Sequence, residues 1–465
     1  MTARPQAYRP ETAILDLGDA FYDRVTAADF PQTILRFRND RAAAEVGLDT
    51  LTDAEWIAHF GRFAPLPGSL PEPLALRYHG HQFRTYNPDI GDGRGFLFAQ
   101  MLGTDGRLMD LGTKGSGQTP YSRFGDGRLT LKGGIREILA TEMLEALDVP
   151  TSRTFSLIET GEALERNDEP SPTRSAVLVR LSHSHIRIGT FQRLAYVRDE
   201  DALHALTGYV LRRLYDEKPA DDAPVRLLDL VVDRTATLAA KYMAAGFVHG
   251  VLNSDNINVS GESFDYGPWR FTPTWDPGFT AAYFDHAGLY AFGRQPEAIH
   301  WDAMQLAVAL RPICEAEPLI AALDTFGDRY QRAVSEAILW RLGLLPRDPD
   351  SDRALVQTIE PMLRSTATGI DRFFFDAFGG RLPDSYGEAW GDVRSALAAY
   401  SPRSDRSHPY WSGVPCSMLI DEVETIWSAI AERDDWAPLY AKVAAIREMG
   451  QALTGEPLAA AAANG

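Results

Sequence analysis

Hydrophobic and polar positions follow two different rhythms along this chain. RGFLFAQ (94–100) and RLMDLGTK (107–114) are apolar runs around Gly103-Thr104-Asp105-Gly106, turn chemistry that predicts a β-hairpin whose second strand ends at Lys114. From Gly133 the rhythm changes: Ile135, Ile138, Leu139, Met143, Ala146 and Leu147 recur at helical spacing until Val149-Pro150 stops them. TSRTFSLIET and SAVLVRL read as two more strands with a polar loop, 161–173, between them. Two helices follow, over about 200–216 and over Val225–Ala245, where Leu228, Val231, Leu238 and Tyr242 share a face and Gly246 marks the end. A loop cluster rich in Gly, Asp and Pro covers 247–296, and 297–465 reads as mostly helical with a frayed AAAAANG tail.

Strands cluster first and helices follow, so the expected fold class is α+β rather than a doubly wound sheet. The order is that of a two-lobed, kinase-like chain with a strand-rich N-lobe, a helical C-lobe and additional C-terminal helices. Four units are expected: an N-terminal extension and linker (1–75), an N-lobe-like nucleotide-binding region (76–200), a C-lobe with catalytic and metal-binding loops (201–310), and a helical C-terminal region (311–465) available for choosing a protein substrate. In the first unit a helical patch stands near Asp53–Phe63, and APLPGSLPEP (64–73) reads as the linker.

Composition narrows the function classes. Of 465 residues, 45% are hydrophobic and 24% charged, which excludes disorder, collagen and coiled coil. Forty-six Lys and Arg against 64 Asp and Glu leave a formal net charge of −18, which gives no global support to nucleic-acid or membrane-surface binding. Cys314 and Cys416 have no C-x-x-C partner, so they read as small buried hydrophobes rather than as a disulfide or zinc framework. The N-terminus lacks an apolar signal region and no run of about eighteen apolar residues occurs. A cytoplasmic protein is expected.

Four strings carry candidate chemistry. Gly91-Asp92-Gly93-Arg94-Gly95 lets backbone N–H groups approach a phosphate, or is a plain turn. Lys114, at a strand end ahead of a helix containing Glu137, matches the arrangement in which a lysine grips phosphates and a carboxylate positions it. The helical periodicity puts Glu137 opposite the apolar face, where a solvated side chain is expected. Arg180 and Arg187 suit anion binding; His183 and His185 between them read as ordinary hydrogen-bonded histidines, with no third ligand nearby for a metal. In Phe247-Val-His249-Gly-Val251-Leu-Asn253-Ser-Asp255-Asn256, followed by Asp265-Tyr-Gly267, Asn256 and Asp265 are the oxygen pair that holds a divalent cation against phosphates. Val251 stands where a kinase loop places its catalytic Asp. Asp255 is the nearby carboxylate that either takes that role or caps a turn, and spacing leaves both open.

With YHGHQF, GDGRG, TKGSGQTPYSRFGDGR, IRE, VRLSHSHIRIGTF, GFVHGVLNSDN, DYGP and DPGF in order over about residues 76–310, the chain resembles the selenoprotein O family. The resemblance implies a protein-kinase-like fold described as a pseudokinase, which transfers AMP from ATP to Ser, Thr or Tyr hydroxyls of proteins. It also implies a nucleotide lying inverted relative to kinases, and links bacterial members to UMP transfer from UTP with Mn²⁺. On this resemblance Gly91, Gly93, Arg94, Lys114, Asp126, Gly127, Arg180, Arg187 and Asp265 contact the nucleotide, and Glu137 positions Lys114. Asp255 is the proton acceptor, and Asn256 and Asp265 hold Mg²⁺ or Mn²⁺. Two departures stand out: Arg84-Thr-Tyr-Asn-Pro-Asp follows His81-Gln82-Phe83 where a small, Gly-rich stretch is expected, and the C-terminus lacks a redox-active cysteine. The competing readings are a catalytically silent nucleotide-binding module, motivated by Val251, and a small-molecule phosphotransferase.

Overall fold

The computed structural model describes residues 7–167 and 169–455; the AAAAANG tail lies outside them. The strands are β1 (Pro10–Glu11), β2 (Tyr22–Arg24), β3 (Ile34–Arg38), β4 (Leu74–Leu76), β5 (Gly80–Gln82), β6 (Thr85–Asn87), β7 (Leu97–Leu102), β8 (Leu108–Lys114), β9 (Leu129–Thr130), β10 (Arg153–Leu164), β11 (Thr173–Ser182), β12 (Phe247–Val248) and β13 (Arg270–Phe271). The helices are α1 (Asp40–Glu45), α2 (Asp53–Phe60), α3 (Leu131–Ala146), α4 (Ile188–Val197), α5 (Glu200–Leu214), α6 (Ala223–Ala245), α7 (Gln295–Leu310), α8 (Ala316–Asp324), α9 (Phe326–Arg341), α10 (Pro349–Ser365), α11 (Ile370–Ala377), α12 (Gly391–Leu397), α13 (Ile420–Arg433) and α14 (Ala437–Thr454). An antiparallel sheet of nine strands runs β2-β4-β7-β8-β11-β10-β3, with β1 added on β7 and β9 on β11. Helices α4 to α12 form the second lobe, built around α6, so the chain is α+β and two-lobed as its element order implies.

The predicted hairpin is β7–β8. Gly103 N donates to Arg107 O at 2.8 Å, Leu102 faces Leu108, and Gly106 takes the left-handed conformation (φ 84°) that closes the turn. Strand β11 reads as an almost continuous apolar run because both faces of the sheet are covered. Val177, Val179 and Leu181 join a core with Trp56, Phe60 and Phe155 under α2, while Ala176 and Leu178 join the core shared with α3. Trp56 stacks on Phe155 at 4.8 Å and donates to Ser156 Oγ at 2.9 Å.

Helix α3 starts where Thr130 Oγ accepts from Gly133 N at 3.1 Å. Its periodicity misplaces Glu137, which is buried. The sheet covers one side of α3 and α13 and α14 cover another, so Glu137, Thr141 and Glu142 are enclosed with the leucines. Arg447 of α14 grips Glu142 through Nε at 2.8 Å and Nη2 at 2.5 Å, and Arg174 of β11 reaches Asp434 beyond α13 at 2.8 Å. The last two helices thus return to the strand-rich lobe.

The N-terminal stretch corrects the sequence reading. Instead of an irregular extension, residues 10–76 supply β1 to β4, each two to five residues long, too short for a period to show. The expected linker is pinned: Leu66 and Leu70 are buried, and Ser69 Oγ donates to Gln100 O at 2.9 Å. Cys314 and Cys416 are unpaired and half-buried rather than buried. No described helix is long and apolar enough to cross a membrane.

Arg447→Met should cost about 2 kcal/mol in urea unfolding, because it strips the buried Glu142 of its bidentate partner. The loss falls short of that for a fully isolated charge because Arg41 stands 3.6 Å from the same carboxylate. An unchanged midpoint would remove this pair from what anchors α14.

Candidate active site

A cleft of about 800 Å³ opens between the lobes. The strand-rich lobe contributes Gly91–Gly95, Lys114, the 121–128 loop and Arg180; the helical lobe contributes Val251, Asn253, Asp255, Asn256 and Asp265. Asp265, in the left-handed region (φ 58°), is the point of convergence. Arg180 Nη1 donates to its Oδ1 at 2.6 Å, Arg187 Nη1 to its Oδ2 at 2.8 Å, and Lys114 Nζ lies 3.6 Å away while pairing with Glu137. Burial works to raise the Asp265 carboxyl, but Arg180, Arg187 and Lys114 outweigh it and hold the group well below its ordinary range. Arg180 and Arg187 are 4% and 2% exposed, and the Nε of each is buried without a hydrogen-bond partner among the described residues. Both residues line the cleft, with their guanidinium groups over the Phe264 ring at 5.3 and 4.7 Å.

Asp255 lies in the short 3-10 turn Ser254–Asn256, 7% exposed, with Oδ1 lacking any described hydrogen-bond partner. Burial, opposed by Arg187, pushes its carboxyl up to about 6. The β5–β6 ribbon clamps this turn: His81 N donates to Ser254 Oγ at 2.7 Å and Phe83 N to Asn253 Oδ1 at 3.0 Å. A Cβ on Gly80 would sit 2.6 Å from Asp255 Oδ1, and one on Gly189 would meet His79 O at 2.0 Å, so the glycines of YHGHQF and RIGTF permit this approach. The departure after Phe83 is accommodated at the ribbon's tip, where Phe83 and Arg84 both take positive φ, 49° and 62°, as a two-residue turn there requires. Packing holds them against that strain: Phe83 lies 5.0 Å from the Tyr290 ring, and Arg84 covers Trp301 at 5.3 Å and pairs with Glu297 at 3.1 Å.

His249, buried and kept neutral by that burial, bonds the Phe264 carbonyl through Nε2 at 2.9 Å and so fixes the segment carrying Asp265. Asn256 Nδ2 donates to Val251 O at 3.0 Å, which leaves its amide oxygen as the free donor atom. That oxygen and the unused lone pairs of the ionised Asp265 form a hard-oxygen set of the kind that suits Mg²⁺ or Mn²⁺.

The glycine string lines the cleft, and its glycines also permit close packing: a Cβ at Gly91 would lie 2.5 Å from the Tyr121 ring and one at Gly95 2.0 Å from Thr113 O. Arg94 and Asp126 are exposed in the cleft lining, where Asp126 pairs with Arg166 at 2.8 Å, while Gly127 beside it is buried against the Gly117 backbone. His183 and His185 stand apart from the cleft, on Glu262 and on Asp110.

Sequence reasoning passed over Asp92, which accepts from Arg187 at 3.3 Å and from Leu76 N at 3.0 Å, and Tyr78, whose ring lies 4.3 Å under Arg187. Asp92 was visible inside GDGRG but reads as a spacer between glycines; Tyr78 carries no local signal. Asp302 on α7 is also unforeseen: it is wholly buried, with neither carboxyl oxygen bonded among the described residues.

The family model for protein adenylyltransferase SelO matches residues 6–397. The protein nucleotidyltransferase YdiU of Synechococcus elongatus is 45% identical, covering 93% of this chain and 93% of the relative. That of Gloeobacter violaceus is 44% identical over 94% and 95%. ROP2 of Toxoplasma gondii, a virulence factor with a protein-kinase fold and no enzymatic activity, is similar over 78% of this chain and 91% of that one, at 12% identity and a TM-score of 0.27. Matched over most of its length, the chain belongs to the protein adenylyltransferase SelO family and is an enzyme of the nucleotidyltransferase class.

Proposed function

We propose that this enzyme transfers AMP from ATP to Ser, Thr or Tyr hydroxyls of proteins, with the nucleotide inverted relative to kinases. The observation that carries the reading is that Lys114, Arg180 and Arg187 line the same cleft as the Asp255 carboxyl, whose burial holds it up at about 6. Lys114, Arg180 and Arg187 receive the β- and γ-phosphates and offset the charge that grows on the leaving group. The Asp255 carboxylate accepts the proton of the acceptor hydroxyl as its oxygen bonds the α-phosphorus; the bond to the β-bridging oxygen breaks and pyrophosphate leaves. Asn256 and Asp265 are the residues that would hold Mg²⁺ or Mn²⁺, which supplies charge compensation on the non-bridging phosphate oxygens when bound. Glu137 keeps Lys114 extended towards the phosphates. UMP transfer from UTP is the alternative within the same chemistry, and Val251, in place of a kinase aspartate, favours a silent binding module as the second reading.

Incubation with α-labelled and γ-labelled ATP plus Mg²⁺ or Mn²⁺ tests this directly. Protein should retain label from the α position alone, and Asp255→Ala should reduce it by about 10³-fold or more while nucleotide binding persists. Label from the γ position would establish a kinase; binding without any label would establish the silent module.

Glu137→Gln should lower transfer about tenfold or more, with the larger loss in nucleotide affinity, because Lys114 loses its partner at the cleft wall. Unchanged KM and kcat would separate this pair from the chemistry.

Asp255→Asn should raise the unfolding free energy of the metal-free protein, by about 3 kcal/mol at most, while abolishing transfer. The folded protein raises this carboxyl from 3.8 to about 6, so the wild type carries the full cost of the ionised group above about pH 6 and none below about pH 4. The stabilisation should follow that window; a pH-independent difference would place its cause elsewhere.

A further inference from the structure

The loop joining β8 to β9, residues 115–128, is tied down nearly everywhere. Gln118 Nε2 donates to Gly125 O at 2.8 Å, Gly125 N to Ser122 O at 2.7 Å, and Ser122 Oγ to Gly93 O at 2.5 Å. Arg128 Nε reaches Glu162 at 2.9 Å, and a Cβ on Gly127 would lie 2.3 Å from the Gly117 backbone, so the two ends of the loop touch. From this fixed frame one large apolar side chain projects: Phe124 has a relative exposure of 107% and lines the open end of the cleft.

The cations that take phosphates, Lys114, Arg180 and Arg187, stand at the buried end, so the nucleoside of a bound nucleotide is directed towards the open end. A base there needs an apolar surface for its face. Three aromatic residues line the cleft among the described residues: Tyr78, Tyr121 and Phe124. The Tyr78 ring is covered by Arg187 at 4.3 Å, and Tyr121 packs on Gly91 while its hydroxyl bonds Asp23. Phe124 alone has its faces free.

We propose that Phe124 stacks on the base of the bound nucleotide and fixes the nucleoside at the mouth of the cleft. The inference rests on the nucleotidyl-transfer reading above and deepens it. Stacking uses the π-face that every base has, so this contact serves a purine and a pyrimidine alike and supplies affinity without choosing between ATP and UTP.

Calorimetric titration of the full-length chain with ATP, UTP and inorganic tripolyphosphate tests it. Phe124→Ala should weaken ATP and UTP alike, by about tenfold, and leave tripolyphosphate unchanged. In transfer assays KM should rise with kcat nearly kept, since stacking is the same in ground and transition states. Phe124→Trp should show indole fluorescence quenched by ATP and UTP and untouched by tripolyphosphate. ATP binding to Phe124→Ala as to wild type, or an equal loss for tripolyphosphate, overturns the assignment, the latter by making Phe124 a support of the loop. A wild type that binds tripolyphosphate but neither nucleotide more tightly overturns the transfer reading itself and this contact with it.

Discussion

The Asp265 carboxylate is where the two lobes meet. Lys114 comes from β8, Arg180 from β11 and Arg187 from the turn before α4, yet all three direct charge at one carboxylate supplied by the loop after β12. Charges taken from water each cost several kcal/mol unless closely matched, so none of these groups could be buried alone. Glu137 and Asp92 complete the balance, three carboxylates against three cations. The three cations are thereby buried without leaving uncompensated positive charge inside the protein.

The architecture around that cluster serves to fix its members. Helix α3 carries Glu137 and is enclosed by the sheet and by α14, which removes the choice of facing solvent. His249 and Gln295 fix the strand-to-loop segment below: Gln295 Nε2 donates to Phe247 O at 2.7 Å, and its Oε1 accepts from His249 N at 3.0 Å. Above, the β5–β6 ribbon presses its backbone against the Asp255 turn. Function in this cleft therefore depends on backbone contacts as much as on charged side chains: a methyl group at Gly80 would strike the Asp255 carboxylate as directly as a substitution of Asp255 itself.

Val251 removes the carboxylate from the place a kinase loop would have it, and the molecule instead presents Asp255, four residues on, from a turn held down by Ser254 and Asn253. The aromatic tip at Phe124 and the cations at the far end give the cleft a polarity, apolar at its mouth and charged at its depth. Under the proposed transfer that polarity suits a nucleotide with its base outside and its terminal phosphates inside.

The sequence by itself determined the local matters. It placed the β7–β8 hairpin through its turn residues, α3 and α6 through their periodicity and stops, the order of strands before helices, and the string in which Asn256 and Asp265 stand. These are set by backbone preferences and by neighbours within a few residues, and such neighbours are adjacent in the chain. It misread what depends on distant contacts: Glu137 looked solvated because its own helix offers no partner, and residues 10–76 looked irregular because their strands are short and pair only across the sheet. Tertiary structure alone decided that Lys114, Arg180, Arg187 and Asp265 share one cluster, that Asp255 Oδ1 is walled in by Gly80, and that Phe124 is the aromatic left uncovered. Each of those facts is a distance between residues tens to hundreds of positions apart, fixed by how two lobes pack rather than by any segment's own preference.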